Sequence, residues 1–366
     1  MTPAPTAPVA IAPSPRHLRS ALALCAILAG AVILSPLLGN VPLPPELVLR
    51  ILIGRLTGGL VFPVPCAGLA ISATHCQAYT EIVWQERLPE VLLCLGAGSA
   101  LGLSGASLQG VFRNPLADPF LLGISSGGTV GAALVFVFRV DVAQQNLVLP
   151  AFAFAGALAT GGVILLAARS RFGSVETLLL TGVALSSFLS SVLSLLLLLN
   201  PEGSLQVTFW LLGNIGEGTW PVDGIVLGVL LVTGTILSLY GRELNLLQLG
   251  NDVANSLGVD ARRVRLVILV LTSLTTAVAV AFTGIIGFVG LVSPHIVRRL
   301  FGSDYRLVVP GSAIIGGAFL LGARDLSLAA LPSSVLPIGI FTAFAGAPFF
   351  AYLLYRRRAE YTMGAA

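Results

Sequence analysis

The sequence of 366 residues contains no lysine, so that all 20 of its basic residues are arginine. A Walker A phosphate loop needs a lysine that reaches the β- and γ-phosphates, and this chain therefore cannot carry a standard one. Charged residues are also scarce, at 10% of the chain against about 25% in a soluble domain. The scarcity of charge excludes most soluble folds, and any ATP-driven activity requires an ATPase on another polypeptide.

The sequence also lacks the patterns of catalytic and metal sites. Its three histidines, His17, His75 and His295, lie far apart, and neither H-E-x-x-H nor C-x-x-C occurs. Such spacings are what metal sites and metalloproteases need. We therefore expect no catalytic residue, no metal site and no cofactor on this chain.

Apolar residues are abundant, at 56% of the chain, and the mean hydropathy is +0.95. A helix of about 20 apolar residues spans the roughly 30 Å of hydrocarbon in a bilayer. The sequence therefore predicts an all-α polytopic membrane protein with ten transmembrane helices. The predicted spans lie near residues 18–38, 88–111, 120–138, 147–168, 178–199, 221–240, 264–282, 285–301, 306–322 and 336–355.

The predicted organisation is a membrane domain at 18–355 between two short cytoplasmic tails, 1–17 and 356–366. The first tail is rich in proline and alanine and is expected to be disordered. The membrane domain includes an outer loop at 39–87 and a cytoplasmic loop at 241–263. Residues 57–74 are apolar but contain prolines and glycines, so we interpret them as a surface loop; if they span the membrane, every later sidedness assignment reverses.

The arginines test this topology, because short cytoplasmic loops are enriched in basic residues. With ten spans and the N-terminus inside, 15 arginines fall inside and five outside. Both termini are therefore predicted to be cytoplasmic. The excess of basic over acidic residues is explained by the arginines of the cytoplasmic loops and does not indicate nucleic-acid binding. Acidic residues avoid the centres of the spans, which argues against an ion-coupled secondary carrier, although unwound backbone carbonyls can also bind sodium.

Small residues recur every four positions in the second and third predicted spans, which allows helices to approach closely. These faces serve either helix packing or a substrate pathway. They comprise Gly98, Gly102, Ala106 and Gly110, followed by Gly123, Gly127 and Gly131.

The longest polar stretch placed inside is GRELNLLQLGNDVANSLGVDARRVRLVI, which predicts short helices at the cytoplasmic face. Within it, Asp252, Ala254, Gly258 and Ile268 have the spacing of the EAA motif, which bacterial ABC permeases present to their ATPases. A short helix, a glycine turn and a second helix would form a rigid knob that fits a groove on another protein. A plain amphipathic loop is the alternative interpretation.

Four segments carry a more specific resemblance. They are RLPEVLLCLGAGSALGLSGASLQGVFRNPLADPFLLGISSGG (87–128), LGNDVANSLGVDARRVR (249–265), GFVGLVSPHIVRRLFGSDYRLVVPGSA (287–313) and LPIGIFTAFAGAPFFAYLL (336–354). The sequence resembles the FecCD-type permeases in register from about residue 81 to the C-terminus. These are the ABC importer subunits for ferric siderophores, haem and vitamin B12.

The resemblance implies a type II ABC importer permease in the bacterial inner membrane, with ten spans per subunit and a homodimer whose pathway follows the two-fold axis. It further implies two cytoplasmic ATPase subunits, which hold ATP and Mg, and a periplasmic substrate-binding protein. The substrate would be an iron chelate. Haem is favoured over a ferric siderophore, because a pathway with few fixed charges suits an amphiphilic macrocycle, and vitamin B12 comes third. An ion-coupled carrier and a structural scaffold are the alternatives from other classes.

The resemblance also assigns site residues by position. The cytoplasmic gate would include Asn114, Leu116, Ser174, Val175 and Glu176, although small hydroxyl residues are more usual than Glu176 in the family. ATPase coupling would involve Asp252, Ala254, Leu257 and Gly258. Docking of the binding protein would involve Arg50, Arg55 and Arg324, which otherwise are interfacial residues; Ala323-Arg324-Asp325 and Val335 depart from the family pattern.

The outer loop carries two cysteines and a histidine. Cys66 and Cys76, ten residues apart in an oxidising compartment, either form a disulfide or remain two buried thiols. Cys25 and Cys94 fall in spans and are expected to be apolar fillers. His75 would ligate a haem iron in transit or is a lone surface histidine.

Overall fold

The structure is a computed structural model that describes residues 26–39, 41–69, 71–138, 145–169, 175–215, 218–330 and 336–363. Across these ranges the chain forms helices and turns without a strand. The helices, in chain order, are α1 Ala26–Leu37, α2 Pro45–Leu56, α3 Ala73–Phe112, α4 Ile124–Val137, α5 Gln145–Arg169, α6 Val175–Leu199, α7 Ser204–Leu211, α8 Trp220–Leu239, α9 Gly241–Gln248, α10 Asn251–Ser256, α11 Ala261–Thr283, α12 Val289–Phe301, α13 Tyr305–Ala330 and α14 Ile338–Met363.

Six of these helices are long and apolar enough to cross a membrane: α3, α5, α6, α8, α11 and α13. Shorter apolar helices occur at Ala26–Leu37, Ile124–Val137 and Ile338–Leu353. The predicted all-helical architecture is therefore confirmed. The count of ten spans and the side on which the termini lie stay predictions.

Two helices are shorter than the sequence predicts. Helix α4 has 14 residues and α12 has 13, which at 1.5 Å per residue gives about 20 Å. The segment predicted at 120–138 instead begins with a short 3-10 turn, Pro119–Leu122, and the one predicted at 285–301 begins with non-helical chain. Gly123 follows the 3-10 turn and Gly284 ends α11, at φ 72° and 68°, a backbone region that glycine adopts without a Cβ clash. Hydropathy does not reveal these breaks, because the residues at the breaks are as apolar as those in the flanking helices.

Helix α3 is longer than predicted, since it begins at Ala73 and not at residue 88, and runs for 40 residues. Its segment Ile82–Arg87 is a π-helical turn that ends two residues before Pro89. A proline inside a helix lacks an N–H and clashes with the carbonyl four residues earlier. A π-turn widens the helix locally, which lets α3 continue through Pro89 instead of ending there. Between α2 and α3 the described residues form turns.

The small-residue face of α3 packs against α13. A Cβ added to Gly98 would overlap the carbonyl of Gly316, and one added to Gly102 would overlap the carbonyl of Ser312. The face on α4 likewise packs on α5, where Gly127 meets the backbone of Gly156. These contacts support the first of the two interpretations of these faces, close packing of helices.

Candidate functional site

The predicted coupling loop folds as α9, α10 and a tight turn into α11. Ala254 is fully buried in the core and seats α10 against the protein. Gly258 has φ 82°, and its N–H donates to the carbonyl of Asn255. Asp260 then caps α11, because its Oδ1 accepts hydrogen bonds from the backbone N–H groups of Arg262 and Arg263 at 3.0 Å. The helix Asn251–Ser256, the Gly258 turn and the capped start of α11 thus form one compact unit, called the knob here, whose contact with an ATPase stays a prediction.

The solvent-facing side of this knob is apolar. Leu249 is 61% exposed, Val253 43% and Leu257 54%, and Asp252 is exposed beside them. Exposed apolar patches edged by polar residues mark interaction sites. The predicted coupling residues therefore divide into Ala254, which anchors the knob, and Asp252, Leu257 and Gly258, which lie at its surface.

Polar side chains of α9 attach the knob to the transmembrane helices. Gln248 Nε2 donates to the carbonyl of Gly110 at 2.8 Å, near the end of α3. Asn245 Nδ2 donates to Asp304 Oδ1 at 2.6 Å, and its Oδ1 accepts from the N–H of Tyr305 at 3.0 Å. These bonds join residues 59 to 138 positions apart in the chain, so no local pattern in the sequence identifies them.

The predicted gate loop follows α3 directly. Arg113 ends that helix in the left-handed conformation, at φ 51°, and Asn114 Oδ1 accepts from the N–H of Leu116 at 2.9 Å. Leu116 is 38% exposed and lines a small apolar crevice with His295 and Phe349. Of the second predicted gate element, Ser174 lies outside the described residues, Val175 begins α6, and Glu176 is exposed in the first turn of that helix.

Asp118 is a buried carboxyl that the sequence analysis did not single out. Its Oδ1 accepts from the N–H of Phe120 at 2.9 Å, whereas its Oδ2 has no partner within the described residues. Burial raises the pKa of Asp118 to about 6, and the hydrogen bond from Phe120 opposes the shift. The carboxyl lies beside Gly290 at the start of α12, between the two interrupted segments.

We expect the stability of the protein to fall as the pH rises from about 4 to about 6. The folded-state pKa of Asp118 is above its unfolded value of 3.8, so the folded state holds the proton more tightly and loses that advantage as the pH passes its pKa. The loss amounts to at most about 3 kcal/mol. Melting temperatures in detergent across this range should show the loss, and Asp118→Asn should reduce it. Identical pH profiles for both proteins would contradict the assignment.

The outer loop forms a small folded extension around α2 and the beginning of α3. Its core consists of seven buried residues: Leu43, Leu47, Val48, Ile51, Leu52, Cys66 and Val83. Cys66 and Cys76 are joined by a disulfide, with Cα atoms 6.0 Å apart. The bond ties the turns that follow α2 to the first turn of α3.

We expect non-reducing peptide mapping to recover Cys66 and Cys76 as one cross-linked pair. Replacing both with serine should lower stability by about 2 to 3 kcal/mol, because the cross-link restricts the unfolded chain. Transport should persist, since the spans do not depend on the bond. Two free thiols in fresh protein protected from air would contradict this prediction.

The three predicted docking arginines differ in their surroundings. Arg55 is exposed. Arg50 is half-buried; it donates to the carbonyl of Ala67 at 2.8 Å and pairs with Glu46. Arg324 is 1% exposed, so its guanidinium does not fit the predicted docking role. Of the three, Arg55 and, in part, Arg50 are accessible to a partner, and their docking role stays a prediction.

Arg324 instead forms a buried ion pair that joins three helices. Its Nη2 and Nε donate to the two carboxylate oxygens of Glu90, at 2.7 and 3.2 Å. Its Nη1 donates to Ser35 Oγ at 3.1 Å and to Asp325 Oδ1 at 3.1 Å. The bidentate geometry is the strong form of an arginine–carboxylate pair. A separation of 234 residues explains why the sequence did not reveal it.

His75 has a local role in the extension. Its Nδ1 lies 2.6 Å from Ser72 Oγ, which also accepts from the backbone N–H of His75 and so caps α3. No group of three His, Cys, Asp or Glu side chains suited to a metal occurs in the part of the chain that the structure describes. The geometry favours the interpretation of His75 as a surface histidine.

Known proteins resemble the chain over most of its length. The profile of the FecCD transport family matches residues 26–356. The uncharacterized ABC transporter permease protein YvrB of Bacillus subtilis is 40% identical over 85% of this chain and 91% of its own. The cobalamin import system permease protein BtuC of Halobacterium salinarum is 41% identical, covering 82% of this chain and 81% of that protein. The hemin transport system permease protein HmuU of Yersinia pestis is 38% identical, covering 76% and 84%.

A solved structure agrees with this relationship. It is described as an inward-facing conformation of an ABC transporter of metal-chelate type, and it superposes with a TM-score of 0.77 at 28% sequence identity. The match covers 93% of this chain and 99% of that chain. The superposition, the family profile and the sequence identities therefore agree, and the chain belongs to the FecCD transport family, the membrane permease components of ABC transporters.

Proposed function

We propose that this chain is the permease subunit of a type II ABC importer that moves an iron chelate from the periplasm to the cytoplasm of a bacterium. Haem is favoured over a ferric siderophore, and cobalamin is the alternative cargo within the family. Two copies of the chain form a homodimer in the inner membrane. Two cytoplasmic ATPase subunits bind ATP and Mg and hydrolyse the ATP, and a periplasmic protein delivers the cargo.

The observation that carries this proposal is the knob formed by α9, α10 and the Gly258 turn. It presents exposed Leu249, Val253 and Leu257, and α9 attaches it to α3 and α13 through Gln248 and Asn245. A force applied at the knob would therefore be passed to the helices of the membrane domain. A plain surface loop needs neither an exposed apolar patch nor such attachments.

The direct test is ATP-dependent uptake by proteoliposomes that contain this chain, its ATPase and the loaded binding protein. We expect haem uptake that requires hydrolysable ATP and stops with vanadate. Separate assays with a ferric siderophore and with cobalamin discriminate the three cargoes. A chain that retains no ATPase during purification would contradict the proposed function.

An ion-coupled secondary carrier is the second candidate, and one feature favours it. Asp223, in the first turn of α8, is 2% exposed, and neither carboxylate oxygen has a partner within the described residues. Buried acids of this kind form ion relays in carriers. Uptake driven by a proton or sodium gradient without ATP would support the carrier, whereas an Asp223→Asn protein with normal ATP-dependent uptake would contradict it.

The ten-span topology predicts which positions face the cytoplasm. Cysteines introduced near Arg169, Arg263 and Arg357 should resist an impermeant thiol reagent in intact cells, while one near Glu202 should react. The expectation follows from the enrichment of arginine in cytoplasmic loops. Labelling of position 263 from outside would contradict the ten-span topology.

A further inference from the structure

Helix α2 of the outer extension is apolar on two faces. One face packs into the core of the extension, through Leu47, Val48, Ile51 and Leu52. A second face carries Leu49, Ile53 and Leu56, whose spacing of four and three residues places them on one helical stripe. Leu56 is 74% exposed. A helix that is apolar on all sides is normally covered on all sides, so the second face needs a partner.

The apolar stripe continues into the turns that follow α2. The N–H of Gly59 donates to the carbonyl of Gly54 at 2.7 Å, which folds the chain back against the end of the helix. Leu60, in this turn, is 89% exposed. We name the combined surface the outer apolar patch, and its exposed members are Ile53, Leu56, Leu60, Val61 and Val64. A contiguous apolar surface of this kind marks an interaction site.

Neighbouring residues place α2 at the level where the predicted spans leave the bilayer. The core of the extension contacts Leu37, the last residue of α1, and Leu88, where the predicted span in α3 begins. Val83 of that core precedes Trp84, whose ring centroid lies 5.1 Å from that of Trp220, the first residue of α8. Tryptophan is enriched at membrane–water interfaces. The outer apolar patch is therefore carried by a unit that packs at the edge of the hydrocarbon layer.

The charge around the patch fits a phospholipid surface. Between Glu46 and Glu81 the sequence contains no acidic residue. Arg50 pairs with Glu46. Arg55 is exposed, and neither a hydrogen bond nor an ion pair engages it within the described residues. Because arginine lays its stem along apolar surface and keeps its head group in a polar layer, a free guanidinium beside exposed Leu56 suits a lipid phosphate.

We propose that the outer apolar patch inserts into the outer leaflet of the membrane, with Leu56 and Leu60 at the upper acyl carbons and Arg55 on a lipid phosphate. Interfacial helices lie about 5–10 Å into the boundary between head groups and acyl chains. The outer extension is thus an interfacial anchor, and Arg55 takes the interfacial role and not the docking role. The inference requires a bilayer around the spans but no transport, so it stands apart from the proposed function.

The test measures the depth of the patch in the full chain in lipid nanodiscs. Cys25 and Cys94 are replaced by alanine, the disulfide is kept, and Leu60→Cys carries a fluorophore. Phosphatidylcholine with a spin label at acyl carbon 5 or 12 serves as the quencher. The matched control is Gln77→Cys, an exposed position of the same extension that lies about 10 Å along α3 from Trp84. We expect the carbon-5 lipid to quench position 60 about 3-fold or more above position 77, and above the carbon-12 lipid, as for an interfacial depth.

A second variant tests the phosphate contact. Arg55→Glu should reduce quenching at position 60 about 2-fold, and more in nanodiscs with phosphatidylglycerol, because a carboxylate is repelled by anionic lipid. Unchanged quenching in Arg55→Glu would overturn the phosphate contact. Equal quenching at positions 60 and 77 would overturn the insertion. A label at position 60 that aqueous iodide reaches until a binding protein is added would overturn it too, since protein would then cover the patch.

Discussion

Replacing Arg324 with alanine should destabilise the protein more than any other single change at the outer face. The guanidinium is 1% exposed and forms a bidentate pair with Glu90. Removing the buried guanidinium leaves the Glu90 carboxylate unpaired, and because that side chain is 27% exposed the expected cost is about 1.5 to 3 kcal/mol, below that of a fully buried pair. Thermal unfolding in detergent, followed by size-exclusion chromatography, should show a large fall in melting temperature.

The matched control is Arg55→Ala, since Arg55 is exposed on the same side and should change stability by less than about 0.5 kcal/mol. Exchanging the pair as Glu90→Arg with Arg324→Glu should recover part of the loss. Recovery stays partial, because a glutamate at 324 cannot donate to Ser35 and would lie beside Asp325. Equal melting temperatures for the Arg324→Ala and Arg55→Ala proteins would show that the pair is not stabilising.

Replacing Gly258 with phenylalanine should abolish ATP-driven uptake while the membrane domain remains folded. Gly258 has φ 82°, and no atom lies within 4 Å of a Cβ built on it. The new side chain would therefore point outward from the knob, toward the proposed position of the ATPase. Backbone strain costs about 1 to 2 kcal/mol, and an overpacked contact adds about 1 to 3 kcal/mol. Retention of the ATPase during purification and uptake by proteoliposomes measure the effect.

Gly58→Phe is the control for backbone strain, because Gly58 also has a positive φ, 61°, and open space around its Cβ position. It lies in the outer extension, far along the chain from the knob, and should leave ATPase retention unchanged. Normal uptake by the Gly258→Phe complex would mean that the ATPase binds elsewhere on the chain.

Much of the fold was predictable because it follows from composition. Apolar segments of about 20 residues identify the long helices, and the small-residue repeat of Gly98 and Gly102 identifies a packing face. The breaks before α4 and α12 were not predictable from hydropathy, because the residues at the breaks are apolar too. The extension of α3 back to Ala73 was also missed, since Pro89 normally marks a helix start and its effect is offset here by a π-turn.

The candidate site was likewise predictable only in part. The knob was predictable because a short helix, Gly258 and the capping residue Asp260 lie together in the sequence. The burial of Arg324 and the attachment through Gln248 depend on helices that are distant in sequence. Composition and spacing carry no information about such pairs, and only the packing of the helices reveals them.

The unbroken length of α3 makes the outer extension part of a lever. Forty residues amount to about 60 Å of helix, roughly twice the hydrocarbon thickness of a bilayer. Residues of α2 share a buried core with Val83 of this helix, so the extension moves when the helix tilts, with or without the disulfide. A tilt that begins at the cytoplasmic end of α3, where Gln248 contacts it, would displace the outer surface in the opposite direction. Release of cargo by a docked protein would thus be coupled mechanically to events on the far side of the membrane.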